Sequence, residues 1–271
     1  MSEWEHNGGK NGVIWMPSID INCDLGEGFG IYSFGQDREI IGLVTSANIA
    51  CGFHAGGPEQ MHETVSLCLR NDVAIGAHPG YPDLQGFGRR AITYSFSEIK
   101  NMIIYQVGAL AAIAGSLGGR VEYIKPHGAL YNTAAVDSLT ASAVLEAAAG
   151  LGGLPLMVPA GSVIARLAEE QGMIVIREGF ADRNYNDDGT LVARAGGNAL
   201  IKSPVRAAAQ VVMMAREGKI TTVGGNEIDL NVDSVCVHGD NPEALAALKE
   251  IRRALAENNI GVVKISQLLG G

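Results

Sequence analysis

Titratable side chains follow six short hydrophobic segments of this sequence, each at the start of a turn rich in glycine or proline. In chain order these residues are Asp24 and Glu27, His54, His78, Lys125 and His127, Asp182 and Arg183, and His238 and Asp240. Four of the six histidines of the chain lie at these positions. Histidines and carboxylates are the usual proton-transfer groups of acid–base catalysis and common ligands of metal ions. The pattern therefore predicts an active site, provided that the fold brings these segments together.

Binding of a metal ion is one use of such residues. Asp24, His54 and His78 would form a carboxylate–His–His set that leaves coordination positions open for water. The sequence has no HExxH motif, and its histidines are far apart, so a local metal signature is missing. General acid–base catalysis and metal binding both stay open at this point.

Covalent catalysis and nucleotide binding by this chain are disfavoured. Cys23, Cys51 and Cys236 have apolar neighbours, which is typical of cysteines that pack as small hydrophobic side chains. The GxSxG motif of a serine nucleophile is absent. Residues 197–203 resemble a P-loop only superficially, because the glycine before Lys202 is missing.

Basic residues of the same segments are candidates for binding an anionic group. Lys125 lies between Ile124 and Pro126 at the end of a predicted strand, where a buried ammonium group needs an acidic partner. Arg183 could hold a carboxylate or a phosphate. Arg89 and Arg90 fit a solvated turn slightly better than a binding site.

Seven strand-like segments alternate with longer helical patterns, which predicts an α/β fold. The predicted strands cover residues 19–24, 47–51, 74–77, 122–125, 154–158, 174–177 and 234–237; the predicted helices cover residues 58–70, 97–117, 137–149, 162–171, 203–217 and 242–257. Residues 179–201 are predicted to form a long loop, and residues 261–265 an eighth strand or a packing segment. An open doubly wound sheet is less favoured, because no GxGxxG follows the first strand. A barrel would collect the titratable residues at one face, where the carboxyl ends of its strands meet.

Composition limits the class of protein. The chain has 271 residues, 47% of them hydrophobic, which suits one barrel domain over residues 17–271 after a disordered tail at residues 1–16. A net charge of −9 without a basic stripe argues against nucleic acid as a partner. We find no secretory signal, no apolar run long enough to cross a membrane and no CxxC pair, so we expect a cytoplasmic protein.

Six sequence blocks also carry a resemblance to a known family. They read DINCDLGEGFG, SANIACGFHAGGP, GAHPGYPDLQGFGRR, YIKPHGALYN, EGFADRNYNDDGTLVARAGGNALI and VDSVCVHGDNP. In this order they resemble the LamB/YcsF family, which is the family of the A subunit of 5-oxoprolinase. The resemblance implies an irregular seven-stranded, TIM-like β/α barrel similar to the polysaccharide-deacetylase (glycoside hydrolase/deacetylase) type. It also implies ATP-dependent hydrolysis of the cyclic amide 5-oxoproline to glutamate, with ATP bound mainly by partner subunits B and C.

Under this resemblance, Asp24 is expected to position or deprotonate the attacking water. The four histidines His54, His78, His127 and His238 are expected to transfer protons, stabilise phosphate or bind a metal. The expected substrate-binding residues are Glu27, Lys125, Asp182, Arg183 and Asp240. Two alternatives remain, namely a metal-dependent deacetylase or amidase and a non-catalytic accessory subunit. The sequence also allows a homo-oligomer.

Overall fold

Seven parallel strands close into a barrel in the computed structural model of the protein, which describes residues 17–30, 32, 36–193, 197–238 and 243–270. The strands of the chain are β1 (Ser18–Leu25), β2 (Ser46–Ala50), β3 (Ala74–His78), β4 (Tyr123–Ile124), β5 (Leu156–Pro159), β6 (Val175–Phe180), β7 (Lys219–Thr221), β8 (Glu227–Asp229), β9 (Ser234–Val237) and β10 (Gly261–Val262). Strands β1 to β6 follow one another around the barrel, and β9 pairs with both β6 and β1. This closed ring confirms the predicted fold class, and its strands overlap all seven predicted segments.

The helices lie outside the barrel or cover its ends. They are α1 (Asp37–Ile40), α2 (Pro58–Asn71), α3 (Phe96–Ser116), α4 (Gly128–Ala134), α5 (Ser138–Gly150), α6 (Val163–Glu170), α7 (Pro204–Glu217), α8 (Ala244–Glu257) and α9 (Ile265–Leu269), with a 3-10 turn at Ile41–Leu43. Local sequence explains several of their starts. The side chains of Ser95, Asp137, Ser162 and Ser203 each accept a hydrogen bond from a backbone N–H in the first turn of the helix that follows.

The interior of the barrel is polar next to β1. Along this strand Ile21 and Cys23 pack into the main hydrophobic core, whereas Asp20, Asn22 and Asp24 point inward, because successive side chains of a strand alternate between its faces. All five side chains are buried. The polar residues of β1 thus enter the barrel, while its apolar residues join the core.

The amino-terminal end of the barrel is closed by a small apolar cluster. It consists of Ala74, Tyr123, Met157, Ile176 and Ile265, the last of which comes from α9. Tyr123 runs across the barrel next to Gly76, where a Cβ would lie 2.2 Å from the tyrosine ring. The carboxyl end of the barrel is therefore the end that is available for a site.

The structure differs from the sequence-based prediction in a few elements. Helix α4 was not predicted, because it is short and begins directly after His127. The antiparallel β7–β8 hairpin was also missed. Residues 261–265 divide between β10, which pairs with the start of β1, and the first residue of α9. The predicted tail at residues 1–16 lies outside the described residues.

Two further predictions concern the long loop at residues 179–201 and membrane-spanning segments. β6 extends to Phe180, and the chain beyond it carries isolated antiparallel bridges between Arg183 and Leu200 and between Tyr185 and Leu191. Among the described residues, no helix is long and apolar enough to cross a membrane.

Candidate active site

The predicted site residues converge at the carboxyl end of the barrel. Asp24 lies on β1 and His78 ends β3, while the others stand in the turns after β1, β2, β4, β6 and β9. Each of them that lies in the described part of the chain is at most 9% exposed: Asp24, Glu27, His54, His78, Lys125, His127, Asp182, Arg183 and His238. Asp240 lies outside the described residues. A buried group of this size and charge is typical of a barrel active site.

Lys125 is the centre of the site. Its Nζ lies 3.0 Å from Oδ1 of Asp24 and 2.7 Å from Oε1 of Glu178, and it also donates to Oδ1 of Asn22 at 3.2 Å. Burial opposes the charge of Lys125, but Asp24 and Glu178 outweigh burial and raise its pKa well above the ordinary 10.5. Lys125 is therefore an ammonium ion shared between two buried carboxylates.

Several neighbouring side chains keep Asp24 in its ionised form. Burial alone would raise its pKa, but Lys125 and His78 hold that pKa well below the ordinary 3.8. Asn48 donates from Nδ2 to Oδ1 of Asp24 and to Oδ1 of Asn22, each at 2.8 Å. Asn48 in turn accepts a hydrogen bond from the hydroxyl of Tyr123 at 2.7 Å. These bonds fix the orientation of the Asp24 carboxylate from inside the barrel.

Glu178 is a site residue that the sequence analysis missed. Besides contacting Lys125, it accepts a hydrogen bond at Oε2 from the hydroxyl of Tyr131 at 2.5 Å. A signal was present in the sequence, because Glu178 stands in the same strand-end block as Asp182 and Arg183. Glu178 was missed because it lies within the strand, whereas the predicted site residues of this block lie in the turn that follows.

A second group of side chains lies beside Asp24, and we call Glu27, His54, His78 and His127 the histidine cluster. His78 Nε2 is 2.9 Å from His127 Nδ1 and 3.5 Å from Oδ2 of Asp24. Oε1 of Glu27 is 3.8 Å from both His54 Nε2 and His127 Nδ1. One ligand atom from each of the four residues lies within 4.8 Å of the others, which is a geometry that could hold a metal ion.

His54 is the most enclosed member of the cluster. Its ring stacks on that of His127 with centroids 3.7 Å apart, and its side chain is fully buried. Neither ring nitrogen has a hydrogen-bond partner among the described residues. Burial, together with the neighbouring imidazoles, holds the pKa values of His54 and His127 well below the ordinary 6.5. Both rings are therefore neutral.

Glycines let the backbone approach these rings closely. A Cβ on Gly80 would lie 2.7 Å from Nδ1 of His54. A Cβ on Gly88 would lie 2.8 Å from Cβ of His54 and 2.9 Å from Cδ2 of His127, and Gly88 also has a φ of +63°. The glycines in the third sequence block thus form the wall of the histidine cluster.

His238 and Asp182 occupy the opposite side of the barrel mouth. His238 donates from Nδ1 to Oδ1 of Asp182 at 2.9 Å, so Nε2 is not engaged by this carboxylate. Burial would raise the pKa of Asp182, but His238 and Arg183 lower it below the ordinary 3.8. The ring of His238 also stacks on Phe180, with centroids 5.5 Å apart. An imidazole oriented by a carboxylate in this way can accept and return a proton.

Arg183 has a different environment from the one expected for a substrate-binding residue. Its Nη2 donates to the backbone oxygen of Val192 at 2.7 Å, and its Nε donates to that of Ala199 at 3.3 Å. The side chain thus ties together the loop after β6, although it also lines the cavity described next.

A cavity of about 930 Å³ lies against the barrel mouth. Its wall includes Asp24, His78, Lys125, His127, Glu178 and His238. Arg89 also lines it, and its guanidinium lies over the ring of Phe87. The volume is typical of small-molecule sites, so Asp24, the Lys125 ammonium and the His238 imidazole can act on one bound molecule.

Cys236 belongs to the main hydrophobic core, as its apolar neighbours suggested, but it also contacts a charged residue of the site. Its Sγ lies 3.2 Å from Nζ of Lys125. Burial raises the pKa of Cys236 well above the ordinary 9.0, so the side chain is a thiol. This protonated state agrees with the expectation that the cysteines are not nucleophiles.

Comparison with known proteins identifies the family. The model of the LamB/YcsF family matches residues 19–270. The chain belongs to the LamB/YcsF family. Its relative from Methylococcus capsulatus, named as the A subunit of 5-oxoprolinase, is 48% identical over 255 residues, which are 94% of this chain and 98% of that protein.

Solved structures agree with this membership of the LamB/YcsF family. The lactam utilization protein of Thermus thermophilus is 40% identical and superposes with a TM-score of 0.86, covering 91% of this chain and 99% of that one. A putative cellobiose-phosphate cleavage protein of Enterococcus faecalis is only 14% identical, with a TM-score of 0.56 over 94% of this chain and 99% of that one. The second similarity shows a shared fold alone.

Proposed function

We propose that this chain is the A subunit of an ATP-dependent 5-oxoprolinase and that it catalyses the hydrolytic opening of 5-oxo-L-proline to L-glutamate. The observation that carries the proposal is the 48% identity, over nearly the full length of both chains, to a protein named as that component of 5-oxoprolinase. The name lactam utilization protein of the Thermus thermophilus relative points to the same class of cyclic amide. Residues 17–271 would act as one catalytic domain.

The site supports hydrolysis of an amide. A water molecule adds to the lactam carbonyl carbon, the C–N bond breaks, and the ring nitrogen gains a proton. Asp24 is fixed by Asn48 and Lys125, so it can orient the attacking water. His238 can accept the proton of that water and pass it to the ring nitrogen, because Asp182 orients its imidazole.

The basic groups of the cavity suit the anionic parts of the substrate. The ammonium of Lys125 lies beside the place where negative charge develops on the lactam oxygen, and preorganised charges of this kind are the largest source of catalysis in many enzymes. Arg89 lines the same cavity and can attract the carboxylate of 5-oxoproline. In this proposal Arg183 has the supporting role of holding the loop, through Val192 and Ala199.

ATP and further subunits complete the proposed reaction. A five-membered lactam resists hydrolysis, and phosphorylation of its oxygen would give a better electrophile whose hydrolysis releases phosphate. The sequence of this chain lacks a P-loop, so we assign ATP mainly to partner subunits B and C. The Methylococcus capsulatus relative is named as one subunit of its enzyme, which implies such partners for that protein.

The test is glutamate release from 5-oxoproline and ATP by the purified chain, by purified subunits B and C, and by the complete mixture. The proposal predicts turnover in the complete mixture and none when this chain is omitted. Equal turnover without this chain would refute the proposal. Turnover by this chain alone would refute the part assigned to the partners.

A further inference from the structure

The histidine cluster (Glu27, His54, His78 and His127) has an arrangement of ring nitrogens that needs a cation. Nδ1 of His78 lies 2.7 Å from the backbone oxygen of Lys125, and Nε2 of His127 lies 2.8 Å from the backbone oxygen of Phe87. A carbonyl oxygen only accepts hydrogen bonds, so each of these two nitrogens carries a proton. The remaining nitrogens, His78 Nε2 and His127 Nδ1, therefore bear lone pairs unless one of them takes up a further proton.

These two lone pairs face each other. The nitrogens are 2.9 Å apart, which leaves no space for a water molecule between them. Two unprotonated nitrogens repel at this distance unless a proton or a metal ion lies at the site. A shared proton would satisfy this pair but would leave His54 as it is, with no hydrogen-bond partner for either ring nitrogen among the described residues.

A metal ion accounts for both features together. His54 Nε2 and His127 Nδ1 each lie 3.8 Å from the Glu27 carboxylate, and one ligand atom from each of the four residues lies within 4.8 Å of the others. Ligands of a tetrahedral zinc ion are separated by about 3.4 Å, as follows from bonds of about 2.1 Å. The observed spacings of 2.9 Å and 3.8 Å bracket this value. The backbone bonds of His78 and His127 are the kind of outer contact that orients metal-binding imidazoles.

We propose that Glu27, His54, His78 and His127 bind one divalent transition-metal ion, for which zinc is the best match to three imidazoles and one carboxylate. Glu27 and His127 replace Asp24 in the set expected from the sequence, because Oδ1 of Asp24 already accepts from Lys125 and Asn48. A second group of Asp24, Cys236 and His238 is also close enough to bind an ion. Its members contact Lys125 or Asp182 instead, so it is not the proposed site.

Bound there, a divalent ion would supply Lewis-acid character beside the cavity that His78 and His127 line. The binding claim does not depend on 5-oxoproline being the substrate. A direct binding measurement can therefore fail or succeed independently of the proposed hydrolase activity.

The experiment measures zinc binding by the full chain. The protein is freed of metal with a chelator, equilibrated with ZnCl₂ and dialysed, and the bound zinc is counted by elemental analysis. Affinity is measured by competition with a chromogenic chelator. We expect one zinc ion per chain and an affinity about 100-fold or more lower in His54→Ala and in Glu27→Gln, since even outer-shell changes cost about 10- to 100-fold.

A control variant sharpens the result. His62→Ala removes an exposed histidine on α2 and is expected to keep one tightly bound zinc ion. Circular dichroism checks that each variant is folded. Less than about 0.2 zinc per folded wild-type chain, well short of the one ion that a four-ligand site holds, would overturn the proposal. So would unchanged zinc affinity in folded His54→Ala or in folded Glu27→Gln.

Discussion

Replacement of Lys125 by methionine is the perturbation that tests the centre of the site. Its Nζ lies 3.0 Å from Asp24 and 2.7 Å from Glu178, and these two side chains are at most 10% exposed. The variant Lys125→Met keeps the length of the aliphatic chain but leaves two buried carboxylates without their shared cation. Removing one partner of a buried ion pair typically lowers the free energy of unfolding by about 3–5 kcal/mol.

The matched control is Lys100→Met on α3. Lys100 forms a partly exposed ion pair with Glu146 at 3.9 Å, and surface pairs of this kind contribute about 0–1 kcal/mol. Urea unfolding followed by circular dichroism, with a chelator in every sample, gives the free energy of unfolding of each variant. A loss below about 1 kcal/mol in Lys125→Met, or a loss equal to that of the control, would refute the assignment of Lys125 as the shared cation.

Three further predictions follow from particular positions. Burial raises the pKa of Asp20 from 3.8 to about 6, so the folded state holds its proton more tightly and the free energy of unfolding falls by about 2 kcal/mol between pH 4 and pH 6. In denaturant titrations at each pH, Asp20→Asn is expected to lack this fall. A pH dependence of Asp20→Asn equal to that of the wild type would contradict the prediction. Gly80→Ala pushes a Cβ against His54 and is expected to lower the free energy of unfolding by about 1–3 kcal/mol in urea titrations. The control Gly108→Ala, with open space around it, is expected to cause no such loss. An equal free energy of unfolding in the two variants would show that the His54 ring moves aside. Ser95→Ala removes the capping box of α3 and is expected to lower the free energy of unfolding by about 0.5–2 kcal/mol in urea titrations. An unchanged free energy of unfolding would contradict the role of Ser95 as the cap.

Strand positions were predictable from the sequence because parallel barrel strands are short, apolar and bounded by turn residues. The same argument found the site, since residues such as His78 and Lys125 stand where the carboxyl ends of these strands meet. The resemblance to the LamB/YcsF family supplied the number of barrel strands. The periodicity alone left a barrel and an open sheet as alternatives.

Side-chain partners were not predictable in the same way. Glu178 and Asn48 lie within strands, and only the registers of β1 with β2 and of β6 with β9 bring them to Asp24 and Lys125. Arg183 looked like an anion-binding residue, but its contacts depend on the path of the loop after β6. The sequence shows which type of residue stands at a strand end. Which partner that residue contacts depends on distances across the barrel.

Glutamate release by active-site variants in the complete mixture tests the central claim most directly. With subunits B and C, ATP and 5-oxoproline present, Asp24→Asn and His238→Ala are each expected to lose about 100-fold or more of the turnover, while His62→Ala on the exposed face of α2 retains it. Full turnover by folded Asp24→Asn and His238→Ala would contradict the account, and would identify this chain as a non-catalytic accessory component.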